Sequence, residues 1–338
     1  MNEQIDLRIL NHEKTSKEIL TSFNRTTFSE TYAQNEAWSI SFTVLQREAN
    51  KAIFNYVENE NFVEYRGELF VIKNVKRIGT GRLFTKEVTA VHQFFTIQDD
   101  FQINTKSGTL SIDECLAFIF NVNTKGFTYS IVDINNRFTK IEQENLGSND
   151  LLTLIQEVMT DYNAVMKIQG KLVVICPRED YGNKTENVIR YLSHTDSVDF
   201  DVNTYEFKTK ITGYGKKKDD GSYYFAPVTY VSQAAEEWGI RVATPLNDER
   251  YTDKAAMTKK LKEILQDYPS VTVNVRLKMK YDTEEGDWIR VIYEPLGIDQ
   301  YIQLVGYTRN PFFNNPPQLV FCNTKKTVID LLSSIVKT

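Results

Sequence analysis

The stretch Val271-Thr272-Val273-Asn274-Val275-Arg276-Leu277-Lys278-Met279 alternates apolar and polar residues without an error. A period of two places Val271, Val273, Val275, Leu277 and Met279 on one face of a β-strand and the polar residues on the other. The same pattern spreads downstream. Trp288 to Glu294 and Tyr301 to Thr308 read as two further strands joined by a Pro295-Leu296-Gly297 turn, and a last strand ends near Phe321. Upstream, Phe200, Val202 and Thr204 oppose Asp199, Asp201 and Asn203 in a strand that runs toward Ile211. Lys216 to Gly221 reads as a solvated hairpin tip before a strand from Tyr223 to Val231. A helix from about Asp253 to Tyr268 interrupts these strands. Thr252 is its expected N-cap, Pro269 its stop, and Met257, Leu261, Ile264, Leu265 and Tyr268 its buried stripe.

The N-terminal stretch is also β-rich. Trp38, Ile40, Phe42 and Val44 alternate with Ser39, Ser41 and Thr43. Phe62 to Tyr65 and Leu69 to Val75 flank Arg66-Gly67-Glu68, a hairpin with a Gly-containing turn, and Lys86 to Phe95 follows Gly79-Thr80-Gly81. These strands recur about every 10–15 residues, the spacing of an all-β barrel or sandwich. Near Phe101 the period changes. Ile112, Cys115, Leu116, Ile119 and Phe120 share a helical face. Leu151, Leu152, Ile155, Val158, Met159 and Tyr162 define a stronger helix that Ser148, Asn149 or Asp150 can cap. Short strands at Phe127 to Val132 and Lys171 to Cys176 make residues 101–196 an α+β unit. The chain closes on an amphipathic helix carrying Val328, Leu331, Leu332, Ile335 and Val336.

Composition bounds the function. The 338 residues carry 40 Lys plus Arg against 45 Asp plus Glu, a net charge of −5, so no basic field gathers nucleic acid or anionic membrane. At 41% hydrophobic and 25% charged residues the chain is globular rather than disordered. Its longest apolar run, Cys115 to Phe120, is far shorter than the roughly 20 residues of a membrane span. The start, Met1 to Asp6, lacks the basic and apolar regions of a signal peptide, so synthesis in the cytoplasm is expected. Frequent Phe (20) and Tyr (18) beside scarce Gly (15) and Pro (8) match AT-rich codons and a low-GC genome. No Pro/Gly/Ser-rich linker separates the regions, so rigidly packed domains are expected.

Chemistry is sparse. Cys115, Cys176 and Cys322 form no CxxC, and His12, His92 and His194 are not spaced as metal ligands. His92, on an apolar face with Ala90 and Phe94, reads as a satisfied structural histidine. Gly79-Thr80-Gly81 and Gly213-Tyr214-Gly215 read as turns, lacking the third glycine of a phosphate loop. Ser334-Ile335-Val336-Lys337 matches SxxK without its partner motifs. Asp199, Asp201 and Asn203 fail as a calcium loop, because Thr204 and Lys210 stand where Gly and Glu are required. Lys216 to Lys218 is followed by two Asp. Carboxylate pairs such as Asp99-Asp100 and Glu284-Glu285 lie in polar loops, while a pair that meets only in the fold stays open. No catalytic residue, metal ligand or cofactor is assigned, and the chain is read as architecture rather than an enzyme.

A family resemblance rests on a series of segments. These are Trp38-Ser39-Ile40-Ser41-Phe42, the run Asn61 to Ile72 and Val88-Thr89-Ala90-Val91-His92, then Glu237-Trp238-Gly239, Asp248 to Asp253, Gly286 to Val291 and Pro316 to Phe321. In this order the chain resembles the tail-hub proteins of siphophages and prophages of low-GC Gram-positive bacteria. They are also called the prophage endopeptidase tail family, or the N-terminal part of tail-associated lysins. The resemblance implies an α+β, multidomain fold with two tube-like antiparallel β-barrel domains. An α+β domain lies between them and a helical insertion sits in the second barrel. The expected boundaries are 1–98, 99–197, 198–230 with 271–322, the insertion 231–270, and a C-terminal helix 323–338. It also implies a homotrimer forming a pseudo-sixfold ring at the virion tail tip, with a DNA passage. The ring would join the tail tube and distal tail protein ring to tape-measure or tip/fibre proteins. Neither sequence-specific nucleic acid binding nor a stable membrane anchor is expected. Val273, Val275, Ile289, Val291, Tyr301 and Gln303 would divide between barrel core and ring interface. Many members continue into a peptidoglycan-cleaving domain; with the sequence stopping at Thr338, that activity is not expected here. The alternatives are a tail-associated peptidoglycan hydrolase with a carboxylate pair in the α+β unit, or a receptor- or carbohydrate-binding tail protein, given 12% aromatic residues.

Overall fold

The computed structural model describes residues 6–322 except 219, 250, 280–283 and 314. The expected C-terminal helix at 323–338 and the SxxK match lie outside the described residues. At 49% strand and 18% helix the chain is β-rich. It divides into two compact units, Met1–Glu186 with Arg276–Ile289 and Leu304–Val320, and Asn187–Val275 with Arg290–Gln303 and Phe321–Thr338.

The first unit opens with β1 (Arg8–Leu10), β2 (Lys17–Ile19), β3 (Phe23–Ala33) and β4 (Ala37–Leu45). After α1 (Lys51–Tyr56) come β5 (Phe62–Tyr65), β6 (Glu68–Thr80) and β7 (Leu83–His92). The expected β5–β6 hairpin forms on a two-residue turn. Arg66 (φ 53°) and Gly67 (φ 80°) are both left-handed, the geometry whose twist matches the flanking strands. Alternation buries Ile40, Phe42, Val44, Val63, Tyr65, Phe70, Ile72, Val88 and Ala90 in one sheet core. β7 ends at His92, three residues before its expected end, because Gln93–Asp99 turns into a 3-10 helix that sends Phe94 and Phe95 into the next layer.

That layer is the α+β region. It contains β8 (Phe101–Leu110), α2 (Ile112–Phe120), β9 (Thr128–Ile131), β10 (Ile141–Asp150), α3 (Leu151–Asp161), β11 (Ala164–Gln169) and β12 (Leu172–Pro177). β8 pairs with β10, and the order β11-β12-β9 makes a second small sheet with β9 parallel to β12. Both amphipathic helices lie where the apolar period places them. Ile112, Cys115, Leu116, Ile119, Leu151, Ile155 and Val158 share one core. Ser111 caps α2, exchanging hydrogen bonds with Glu114, and Asp150 caps α3. The change of period at Phe101 hid β8, whose residues are mostly exposed and polar.

The remaining strands are β13 (Lys184–Arg190), β14 (Thr195–Asn203), β15 (Lys210–Tyr214) and β16 (Val228–Val231), followed by α4 (Ala235–Trp238), β17 (Leu246–Asn247) and α5 (Lys254–Ile264). Last come β18 (Ser270–Leu277), β19 (Trp288–Tyr293), β20 (Ile298–Arg309) and β21 (Gln318–Cys322). In the second unit α5 packs on the sheet β16-β15-β17 through Met257, Leu261 and Leu265. Its cap is Asp253, which accepts from the Ala256 N–H, rather than Thr252. It stops at Ile264, whose side chain is exposed. β14 and β15 are separate strands where one continuous strand was expected. Gly213-Tyr214-Gly215 is not a turn, because Gly213 and Tyr214 belong to β15. A Cβ on Gly213 would lie 2.6 Å from the Met257 sulfur, so its missing side chain lets α5 approach the sheet.

Among the described residues no sheet closes on itself, so two closed barrels are not seen in the chain. Instead, strands far apart in sequence join one open sheet at β3. One edge of β3 pairs with β4, while the other pairs with β20, Gly306–Arg309 lying opposite Ala33–Glu30. The first unit thus carries the open order β20-β3-β4-β7-β6-β5-β1-β2, antiparallel throughout.

Candidate functional site

The densest polar constellation lies where β20 meets β3. Arg309 and Glu30 stand directly opposite in the register, and cross-strand partners share a face. Glu30 is only 1% exposed. Its Oε2 accepts from Arg309 Nε (2.9 Å) and the Tyr65 hydroxyl (2.9 Å). Its Oε1 accepts from Tyr307 OH (3.1 Å), Trp38 Nε1 (3.2 Å) and Arg309 Nη2 (3.3 Å). Burial alone would raise the Glu30 carboxyl. The Arg309 guanidinium and the hydrogen bonds from Arg309 and Tyr65 outweigh burial and hold it below the usual carboxylate range. Burial and the Glu30 charge push the hydroxyls of Tyr65 and Tyr307 upward. Both carboxylate oxygens are thus engaged and the groups around them are donors. This arrangement fixes β3, β4, β5 and β20 against one another, and it offers no free base.

His92 is likewise committed. Its Nδ1 accepts from the Phe94 N–H (3.2 Å), which leaves the proton on Nε2 to donate to Glu68 Oε2 (2.9 Å). Glu68 in turn accepts from the Gly170 N–H, and the imidazole stacks on Trp38 at 4.7 Å. Lys86, almost fully buried, donates to the carbonyls of Phe54 and Val57 and to Glu58, each at 2.8 Å. It anchors the end of α1 to β7.

The other residues singled out by sequence are dispersed. Cys115 is buried against the Tyr162 hydroxyl (3.5 Å), and burial pushes the thiols of Cys115 and Cys176 upward. The Cys322 side chain lies outside what is described. His12 contacts the Glu60 carbonyl, and His194 accepts from the Arg190 N–H. Asp100 binds the backbone and hydroxyl of Thr124, while Asp99 pairs with Lys125. Exposed Lys217 forms a bridge with Tyr223 at the hairpin. Among the described residues no group of three or more His, Cys, Asp or Glu could hold a metal ion.

A feature that sequence reading missed is a cleft of about 640 Å³ in the α+β region. It is lined by Ser111, Asp113, the β9 residues Tyr129, Ser130 and Ile131, and Phe138 among others. The Tyr129 hydroxyl donates to Asp113 (2.9 Å), and burial with the Asp113 charge pushes it up to about 12. Asp133 spends its oxygens on the backbone N–H groups of Arg137 (2.8 Å) and Phe138 (2.9 Å). Lys140 pairs with Glu114 (3.2 Å), whose carboxyl is held at about 2, chiefly by the Ser111 backbone N–H. The local signals were Ser111 three residues before Glu114 and the short run at Tyr129. Their convergence is a tertiary fact.

Three family models match successive parts of the chain. Residues 7–92 match the prophage endopeptidase tail N-terminal domain, 99–175 the prophage endopeptidase tail domain, and 183–332 the prophage endopeptidase tail model. The crystal structure of prophage tail protein gp18 from Listeria monocytogenes EGD-e is 40% identical, with 98% of each chain covered and a TM-score of 0.74. The 43 kDa tail protein of prophage MuSo2 from Shewanella oneidensis is 12% identical. The alignment covers 96% of this chain and 100% of that one, with a TM-score of 0.64. The tail protein from Neisseria meningitidis MC58, also 12% identical, covers 97% and 98% with a TM-score of 0.62. At that identity the last two establish likeness of fold only. No curated protein matches the chain. The chain therefore belongs to the prophage endopeptidase tail family, the phage tail hub proteins.

Proposed function

We propose that this chain is a non-catalytic structural hub of the virion tail tip, from a siphophage or prophage of a Gram-positive host. Three copies form a pseudo-sixfold ring, each contributing two barrel-like β domains. The ring joins the tail tube and distal tail protein to the tip and leaves a passage for DNA. The observation that carries this reading is the likeness to a prophage tail protein at 40% identity over 98% of both chains. The AT-rich residue bias supports a low-GC host. The proposed partition is 1–98, 99–197, 198–230 with 271–322, the insertion 231–270 and a terminal segment 323–338. The family models at 7–92 and 99–175 support its first two parts.

The first unit also presents what a ring needs. Its sheet is open, and Ile19 on the terminal strand β2 is exposed. Leu83 and Phe84, at the start of β7, are 59% and 52% exposed. Strand edges and apolar tips of this kind are normally covered by a neighbour. Light scattering after size exclusion, alone and with the distal tail protein, is expected to show a three-chain mass. A monomer under both conditions overturns the ring.

The family's endopeptidase label keeps a hydrolase as the second reading. The carboxylates of the α+β cleft are Asp113 and Asp133, and Asp133 is committed to backbone N–H groups of its own loop. Zymography on Gram-positive cell walls is expected to show no clearing. Clearing that disappears in Asp113→Asn would overturn the non-catalytic reading.

A further inference from the structure

The cleft of the α+β region is open along a strand edge. β9 is the outer strand of its sheet, with β12 on one side and no described strand on the other. Its inward-facing residues are identified by their bonds. The Thr128 N–H donates to the Lys171 carbonyl (2.9 Å), and the Val132 N–H donates to the Ile175 carbonyl (2.8 Å). In a parallel ladder the residue facing the neighbour alternates, so Thr128, Ser130 and Val132 turn their backbone groups to β12. The N–H and C=O groups of Tyr129 and Ile131 turn outward. These same residues line the cleft.

The edge also lacks the devices that blunt such strands. The run Thr128-Tyr129-Ser130-Ile131-Val132 holds no charge and no proline. Val132 is 43% exposed and Ile134, just beyond, 85%. Facing the edge, Asp113 accepts the Tyr129 hydroxyl and has no cationic partner among the described residues. Lys140, the cation on the rim, is paired with Glu114. The cleft therefore combines unpaired backbone groups, apolar walls at Ile131 and Phe138, and a carboxylate without an ion-pair partner among the described residues. Its volume falls within the roughly 300–1,000 Å³ of binding clefts.

We propose that the β9 edge is a docking site for an extended peptide segment of another protein, which adds as a strand in the cleft. Main-chain bonds to Tyr129 and Ile131 supply affinity, and alternate side chains supply specificity. Every second residue of the segment faces the cleft, an apolar one seated against Ile131 and Phe138 and a basic one reaching Asp113. This site is independent of the ring proposed above and does not depend on the number of copies.

The test titrates the purified full chain into a fluorescein-labelled octapeptide, Thr-Val-Thr-Lys repeated twice, whose valines and lysines share one face, read by fluorescence anisotropy. Two controls need no protein variant. One is the same peptide with alternate backbone nitrogens methylated, and the other carries glutamate in place of each lysine. Saturable binding is expected, weakened at least about tenfold in both controls, a change of about 1.4 kcal/mol. Hydrogen exchange at Tyr129 and Ile131 is expected to slow on binding. Ile131→Pro removes one outward N–H and spares the inward ladder, so it is expected to abolish binding while circular dichroism stays unchanged. Asp113→Asn is expected to erase the preference for lysine over glutamate. No saturation at about 1 mM, a peptide of only about −4 kcal/mol affinity, overturns the proposal. So does binding that ignores backbone methylation.

Discussion

The two cores of the first unit solve the same problem with different chemistry. The sheet core of Phe42, Tyr65, Phe70 and Ile72 encloses the Glu30–Arg309 pair and its aromatic donors. Among the described residues the α+β core of Leu116, Ile119, Leu151, Ile155 and Val158 buries neutral polar groups such as Gln102 and Gln143. Tyr162 donates there to the Leu110 carbonyl (2.7 Å), and Gln102 donates to the Phe118 carbonyl (2.8 Å). Strands far apart in sequence have no local signal to fix their pairing, and a buried charge penalises every register that leaves it unpaired. Helices with a continuous apolar stripe dock by shape and area alone. The sheet core should therefore answer to charge and pH, and the α+β core to volume.

The largest expected effect is at Glu30. Glu30→Gln leaves the half-buried Arg309 without its counter-ion and turns an amide nitrogen toward the donors around position 30, and should cost about 3–5 kcal/mol in the first unit. Urea unfolding read by peptide-resolved hydrogen exchange over β3 and β20 measures it. Because the folded pKa of Glu30 lies below its unfolded value, this stability is complete above about pH 4.3. It drains away as pH falls through the folded pKa. The gap between wild type and Glu30→Gln should thus narrow in acid, and a gap unchanged from about pH 7 to pH 3 breaks the comparison.

Leu116→Ala comes next. It empties a fully buried position in the α+β core and should cost about 2–5 kcal/mol, roughly constant across that pH range. A strongly pH-dependent loss would erase the distinction between the cores. The smallest effect sharpens it. Ser111→Ala removes the α2 cap and should cost about 1 kcal/mol, confined to exchange protection in the first turn of α2. Destabilisation that spreads into β3 would show that the two cores unfold together.

What sequence could and could not reveal follows the same division. Strict alternation gave β4, β5 and β18, and the helical period gave α2 and α3, because each pattern is complete within a dozen residues. The left-handed Arg66-Gly67 turn was legible for the same reason. Glu30 was not, since its partner lies 279 residues away and neither residue looks unusual locally. β8 was hidden because a mostly exposed polar strand carries little apolar rhythm. The cleft escaped notice because an edge strand is defined by the neighbour it lacks. Gly213 looked like a turn because glycine commonly makes one, whereas here it clears space for Met257.

The pairing of β20 with β3 also sets a schedule for the newborn protein. At the roughly 5–20 residues per second of bacterial synthesis, 279 residues take about 14–56 seconds to emerge. Throughout that interval β3 is outside the ribosome and Glu30 has no guanidinium to face. The β3 edge stays open, with the carboxylate hydrated, until β20 arrives. A chain released early by a nonsense codon before Arg309 would keep that edge uncovered. Arg309 thus couples completion of the β3 edge to the synthesis of a strand 279 residues downstream.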